Sequence, residues 1–142
     1  MSLFSVYLQV YTNRIIYKGA SEMEEKIIEV SKKFWKYLEQ ADVTGMESIA
    51  DPGCMFVHIG VTCGMEEEMK AFFDGVFKPT EILLNKQEAK LWGDTAIVIT
   101  DCNYGLLLGG KPTTHHFAVT EVYVQRENEW KLVQFSFTAL VY

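Results

Sequence analysis

Residues 80–142, TEILLNKQEAKLWGDTAIVITDCNYGLLLGGKPTTHHFAVTEVYVQRENEWKLVQFSFTALVY, decide the fold. The stretch is rich in β-branched and aromatic side chains. It is cut by turn residues at Gly93-Asp94, at Gly109-Gly110-Lys111-Pro112 and at Glu127-Asn128. These breaks predict long strands near 81–92, 95–108, 113–126 and 129–141, joined as an antiparallel meander.

The texture upstream is helical. Ser21 and Glu24 fit a capping box, and Ile27, Val30, Phe34, Leu38 and Ala41 recur at steps of three and four on one face. Glu22 to Lys26 and Glu29 to Lys33 are favourable pairs on the opposite side. Asp42 or Thr44 can cap a short second helix carrying Val43, Met46 and Ile49, which Asp51-Pro52-Gly53 stops. Cys54 to Ile59 reads as a strand, turned at Gly60 and continued to Cys63. Gly64 to Asp74 reads as a third helix. Glu66, Glu67 and Glu68 sit at its positive end, and Met65, Met69, Phe72 and Phe73 form its buried stripe. Helices followed by a meander give an α+β fold, with a long sheet curling over three helices around a concave apolar interior.

Residues 1–20 stand apart. Phe4, Val6, Leu8 and Val10 alternate with Ser5, Tyr7, Gln9 and Tyr11, which reads as an added strand or arm ahead of a domain spanning 21–142. No basic segment precedes this stretch and no small-residue cleavage site follows it, so it is not read as a secretion signal. No run is long and apolar enough to span a membrane.

At 142 residues and 49% apolar composition, the chain can bury one core. Its 13 basic against 19 acidic side chains give a net charge of −6, which excludes a nucleic-acid backbone as partner. The three cysteines lack metal-site spacing and read as free thiols in a reducing, cytoplasmic setting.

Several short stretches together resemble the nuclear transport factor 2 superfamily, in its SnoaL-like branch. They are Ala41-Asp42, Ala50-Asp51-Pro52-Gly53, Phe56-Val57-His58, Phe72-Phe73, Trp92-Gly93-Asp94-Thr95-Ala96, Thr120-Glu121-Val122-Tyr123-Val124 and Trp130-Lys131-Leu132-Val133. The resemblance covers roughly residues 21–142. It implies a cone of curved sheet and three helices around a pocket, usually as a homodimer through the sheet's outer face. Related members include ketosteroid isomerases, polyketide cyclases, small dehydratases and the association domain of calmodulin-dependent kinase, so fold alone does not name an activity.

Carried over residue by residue from the isomerases, the general-base position falls on His58. The oxyanion tyrosine falls on Phe34, which cannot donate a hydrogen bond, and the oxyanion aspartic acid falls near Thr120. Two of three roles are altered, so the resemblance does not extend to steroid isomerisation by that mechanism.

His58 is the leading candidate base, because imidazole titrates near neutral pH. Tyr37, three residues beyond Phe34, can stand in as donor. His115 and His116 are adjacent on a strand and point to opposite faces. By parity His116 shares the face of Thr120, which the resemblance places toward the pocket, with His115, Phe117, Val119 and Tyr123 outward. Asp101 interrupts an apolar strand, and periodicity leaves its face open. Convergence of His58, His116 and Asp101 on a transition metal would need three distant elements to meet, and no metal or cofactor is expected. Phe34, Phe56, Phe73, Thr120, Phe135 and Phe137 are the candidate walls of a slot for a flat ligand. The expectation is therefore a small apolar or aromatic ligand in the cone, with acid/base chemistry by His58, Tyr37, Asp101 or His116. The competing expectation is a non-catalytic association module using the outer face of the sheet.

Overall fold

A computed structural model describes residues 22–141. The expected capping serine, Ser21, and the alternating stretch 1–20 lie outside the described residues. Helix α1 occupies residues 22–39, α2 Val43–Ile49 and α3 Met65–Phe73. The strands are β1 Ala50–His58, β2 Val61–Cys63, β3 Pro79–Trp92, β4 Thr95–Leu108, β5 Lys111–Arg126 and β6 Glu129–Ala139.

The meander is as read. Strands β3 to β6 pair antiparallel in sequence order, and their turns run through left-handed backbone at Gly93, Gly109, Gly110, Glu127 and Asn128. The six-stranded sheet, in the order β2-β1-β6-β5-β4-β3, is curved and unclosed. One pairing differs from an all-antiparallel sheet: β1 lies parallel to β6. Helix α2 ends at Ile49, just ahead of Asp51-Pro52-Gly53, and the triplet itself sits inside β1, where the register against β6 shifts between Ala50 and Met55. Proline is tolerated there because the ladder is already interrupted.

Asp42 caps α2, its carboxylate accepting the Gly45 N–H at 3.0 Å. A short first loop is possible because Ala41 takes a positive φ of 51°. The predicted stripe of α1 is buried at Ile27, Phe34 and Leu38, and Ser31 and Trp35 join it. On α3, Met69 and Phe72 are buried, but Phe73 turns to solvent at 81% exposure. Adjacent helical residues are about 100° apart, so Phe72 and Phe73 cannot share one stripe.

Buried side chains fix which way the sheet faces. Val119, Glu121 and Tyr123 on β5, and Ala96, Val98, Thr100, Cys102 and Tyr104 on β4, point toward α1. This reverses the expected parity: Thr120 and His116 lie on the outer face, and His115 and Phe117 on the inner one. The narrow end of the cone is filled by a ring cluster. Phe135 packs against Trp35 at 5.0 Å, Phe34 at 5.2 Å and Phe56 at 6.2 Å between centroids. Each such pair adds about 0.5–1.5 kcal/mol beyond its buried area. Among the described residues no helix is long and apolar enough to cross a membrane.

Candidate functional site

The unfilled part of the cone lies at its mouth. A cavity of about 520 Å³ opens there, walled by Phe77, Tyr104, Phe117 and Phe137, with His58 and His115 among the aromatics. Its rim is apolar, with Ile59, Val76 and Leu108 more than half exposed. Among the described residues Lys78 is the one lysine against it, and none of those lining it is acidic. Its volume falls in the range of small-molecule sites. A larger depression of about 770 Å³ runs along α1 and the edge strand β3. Half of its lining side chains are charged, among them Glu25, Glu29, Lys32 and Lys90, and it holds none of the candidate residues.

His58, at the end of β1, is the candidate that reaches the cavity with a defined geometry. Its Nε2 lies 2.7 Å from Oε2 of Glu68, a carboxylate that is almost wholly buried. Its ring stacks on Phe137 (5.2 Å, 21° between planes) and leans on Phe77 at 4.7 Å. Glu68 arrives from the first turn of α3, where its N–H bonds the carbonyl of Gly64 at 3.0 Å. With its proton on Nε2 donated to Glu68, the ring keeps a lone pair on Nδ1 for a ligand. A carboxylate that holds an imidazole in one tautomer and orientation is the arrangement a general base requires. Cys63 Sγ lies in the same group, all ligating atoms being within 4.8 Å of one another.

The other candidates disperse. Tyr37 lies against α2, with its ring so close to Gly45 that a Cβ there would come within 2.3 Å of it. Phe34, Phe56 and Phe135 are core, Phe73 faces solvent, and only Phe137 of the predicted walls lines the cavity. Asp101 and His116 do meet, Nε2 to Oδ1 at 2.7 Å, but on the outer face, where Asp101 also accepts from Asn85 at 3.0 Å. The hydrogen bonds from Asn85 and then His116 hold the Asp101 carboxyl below its ordinary value. His58, on the inner face, is not part of this pair, so the three-element metal arrangement does not assemble.

Two residues outside the candidate set stand on the inner face of β5. Glu121 is fully buried and among the described residues has no cationic partner; its carboxylate accepts from Ser31 (2.6 Å), Trp35 Nε1 (2.9 Å), Tyr123 Oη (2.6 Å) and Thr100 Oγ1. Burial pushes its carboxyl above the ordinary value, against the four hydrogen bonds that pull it down. Gln87 donates to Ser31 and Thr100 and ties the group to β3. The signal was an acid in the middle of Val119-Thr120-Glu121-Val122-Tyr123, one position from the residue chosen. The second is His115, on the cavity wall and stacked on Phe117 (5.8 Å, 19°).

The sequence matches the SnoaL-like domain over residues 27–141. No protein of curated function matches it. Among solved structures, a nuclear transport factor 2-like protein from Cytophaga hutchinsonii aligns with a TM-score of 0.75 at 19% identity, over 82% of this chain and 97% of that one. One from Salmonella enterica gives 0.75 at 14%, over 86% and 94%. The association domain of the Caenorhabditis elegans calcium/calmodulin-dependent kinase II gives 0.70 at 14%, over 85% and 98%. At such identities the likeness carries the fold and nothing finer.

Proposed function

The chain belongs to the SnoaL-like domain family of the nuclear transport factor 2-like superfamily, and from that premise we propose that it binds a small apolar or aromatic molecule at the cone mouth and acts on it by acid/base chemistry. The observation that carries this reading is His58. It stands in the wall of a cavity of about 520 Å³, oriented by a buried carboxylate at 2.7 Å and sandwiched between Phe77 and Phe137. A flat ligand packs in the cavity beside that cluster, against Tyr104 and Phe117, and Nδ1 takes a proton from it, in an isomerase, cyclase or lyase type of reaction. His115 and Tyr104 supply the nearby donors. The acid-free lining favours an uncharged or weakly acidic ligand. The three free thiols fit action in the cytoplasm.

The test is a thermal-shift screen of flat apolar compounds in chelator-containing buffer, on wild type, His58→Ala and Phe137→Ala. A ligand present at about 100 times its dissociation constant stabilises the native state by about 2.7 kcal/mol. We expect at least one compound to stabilise wild type and to lose most of that effect in both variants. Absence of any stabilising compound, or equal stabilisation of His58→Ala, refutes the reading.

A second reading has its own support. The outer face of the sheet carries Ile97, Ile99 and Val122, Ile99 being 41% exposed at mid-strand, and the fold is shared with association domains. We propose assembly as a homodimer through this face. A monomer mass in light scattering at working concentrations contradicts it.

A further inference from the structure

His58, Cys63 and Glu68 come from three successive elements, β1, β2 and α3, at a spacing of five residues and five residues. The β1–β2 pairing brings them together. Phe56 lies opposite Cys63 and His58 opposite Val61, so Cys63 is a diagonal neighbour of His58 on the same face of the hairpin. Glu68 then descends from α3 onto that face. Its neighbours Glu66 and Glu67 are exposed, as acids at a helix start ordinarily are, whereas Glu68 is buried to 1%. A buried carboxylate is satisfied by hydrogen-bond donors or by a cation, and the side chains that meet Glu68 are His58 and Cys63, both of which are also metal ligands.

We propose that His58, Cys63 and Glu68 form a zinc site at the edge of the cavity. The donor set of one imidazole nitrogen, one thiolate and one carboxylate oxygen is of the kind that binds zinc, and hard cations such as magnesium and calcium refuse it. With neutral His58, the two negative ligands cancel the charge of a divalent ion, leaving a partly buried site electrically neutral. Ligand bonds of about 2.0–2.3 Å in a tetrahedron place the three atoms roughly 3.2–3.6 Å apart. The His58–Glu68 separation of 2.7 Å has to open slightly, and Cys63 Sγ, within 4.8 Å of both, has to settle at the thiolate–zinc distance. Cys63 sits on a three-residue edge strand between Gly60 and Gly64, which gives that movement room. Three protein ligands leave the fourth position to water or a ligand, the pattern of a catalytic rather than a structural zinc. When zinc binds, the Cys63 thiol proton is released to solvent and the proton between His58 Nε2 and Glu68 moves to His58 Nδ1, so the imidazole stays neutral. The ligand pocket and the metal therefore share His58, but binding of the metal does not depend on the organic ligand.

The experiment uses the whole chain freed of metal by chelation and dialysis. Titration with cobalt(II) is expected to give intense tetrahedral visible bands and a thiolate-to-cobalt charge-transfer absorption in the ultraviolet, both removed by zinc at one ion per chain. Cys63→Ser abolishes the charge-transfer absorption and weakens zinc binding by more than about tenfold. Glu68→Gln weakens zinc binding similarly. Zinc is also expected to slow modification of Cys63 by a thiol reagent in the unaltered protein, and chelator to restore the rate, a readout that requires no variant to fold. A cobalt complex without charge transfer, zinc below one ion per several chains after dialysis, or unchanged Cys63 reactivity overturns the site. Because the ligand screen is run in chelator, a failed metal titration leaves a His58-dependent thermal shift standing, and the converse holds.

Discussion

Replacing Glu121 is the sharpest test of how the cone interior is built. In Glu121→Ala the four donors that converge on the carboxylate lose their acceptor. Ser31 and Thr100 are hydroxyls already touched by the Gln87 amide, and both can rotate to new partners. Trp35 Nε1 and Tyr123 Oη belong to fully packed rings that cannot carry them toward new acceptors. An orphaned buried donor costs about 1–3 kcal/mol, so two cost about 2–6 kcal/mol, a large share of the roughly 5–15 kcal/mol that holds a domain together. Glu121→Gln keeps the shape. With its oxygen toward Trp35 and its NH₂ toward Ser31 and Tyr123, whose hydroxyls can turn to accept, it is expected to cost about 1 kcal/mol. The two variants also differ in their pH response. Because the Glu121 carboxyl is raised in the folded state, the native protein holds that proton more tightly than the unfolded chain does. Its contribution is full below the unfolded value of about 4.3 and fades as pH rises through the folded one, so Glu121→Gln gains on wild type as pH increases. Urea unfolding at several pH values, read as midpoint shifts at constant slope, measures both effects. An Ala variant within about 1 kcal/mol of wild type, or a Gln variant as damaged as Ala, refutes the reasoning.

Other outcomes can be checked as simply. Burial pushes the thiols of Cys54 and Cys102 up to about 12, and both side chains are enclosed, whereas Cys63 is partly exposed. A thiol reagent should therefore titrate one cysteine in the metal-free native protein and all three after unfolding. Gly45→Ala drives a methyl into the Tyr37 ring, the nearest atom lying 2.3 Å from the new Cβ. The expected loss is about 1–3 kcal/mol, relieved when Tyr37→Ala is added. On the outer face, the depressed Asp101 carboxyl adds stability above its unfolded value of about 3.9 and loses it as pH falls through the folded value. His116→Ala should move the Asp101 titration, followed by NMR, back toward normal.

The meander was legible because its turns are written in glycine, aspartate and asparagine. Four of the five left-handed turn positions fall on residues that adopt such backbone readily, Glu127 being the exception. The direction in which β5 faces was not legible. Ala118, Val122 and Val124 on its outer side are as apolar as a core stripe, while the inner side carries Glu121. A sheet apolar on both faces has no alternation to read, and an interior acid biases the reading toward the wrong side. His58 stood out as a candidate because a histidine beside Phe56 and Val57 falls at a position the family resemblance marks. Its partner Glu68 was hidden among three consecutive glutamates, which read as a solvated helix start. Which one is buried depends on how α3 packs on β1, a tertiary fact with no local trace. Tyr37 was misplaced for a related reason. Helical spacing put it near Phe34, but the tight α1–α2 junction at Ala41 folds Gly45 over its ring.

The parallel seam between β1 and β6 governs the order in which the molecule can assemble. Val57 meets Ser136, and Arg126 reaches back to Asp51 at 2.9 Å, so this seam joins positions some eighty residues apart in the chain. Closing loops of that length is entropically slow, while the β3–β4 and β4–β5 hairpins close locally. The β1–β2 hairpin with His58 and Cys63 therefore remains without its neighbour until residues 129–139 arrive. A chain cut before residue 129 would keep its hairpins but leave the edge of β1 unpaired, open to β6 from another copy. Strand exchange at this seam is the expected misassembly route for this protein.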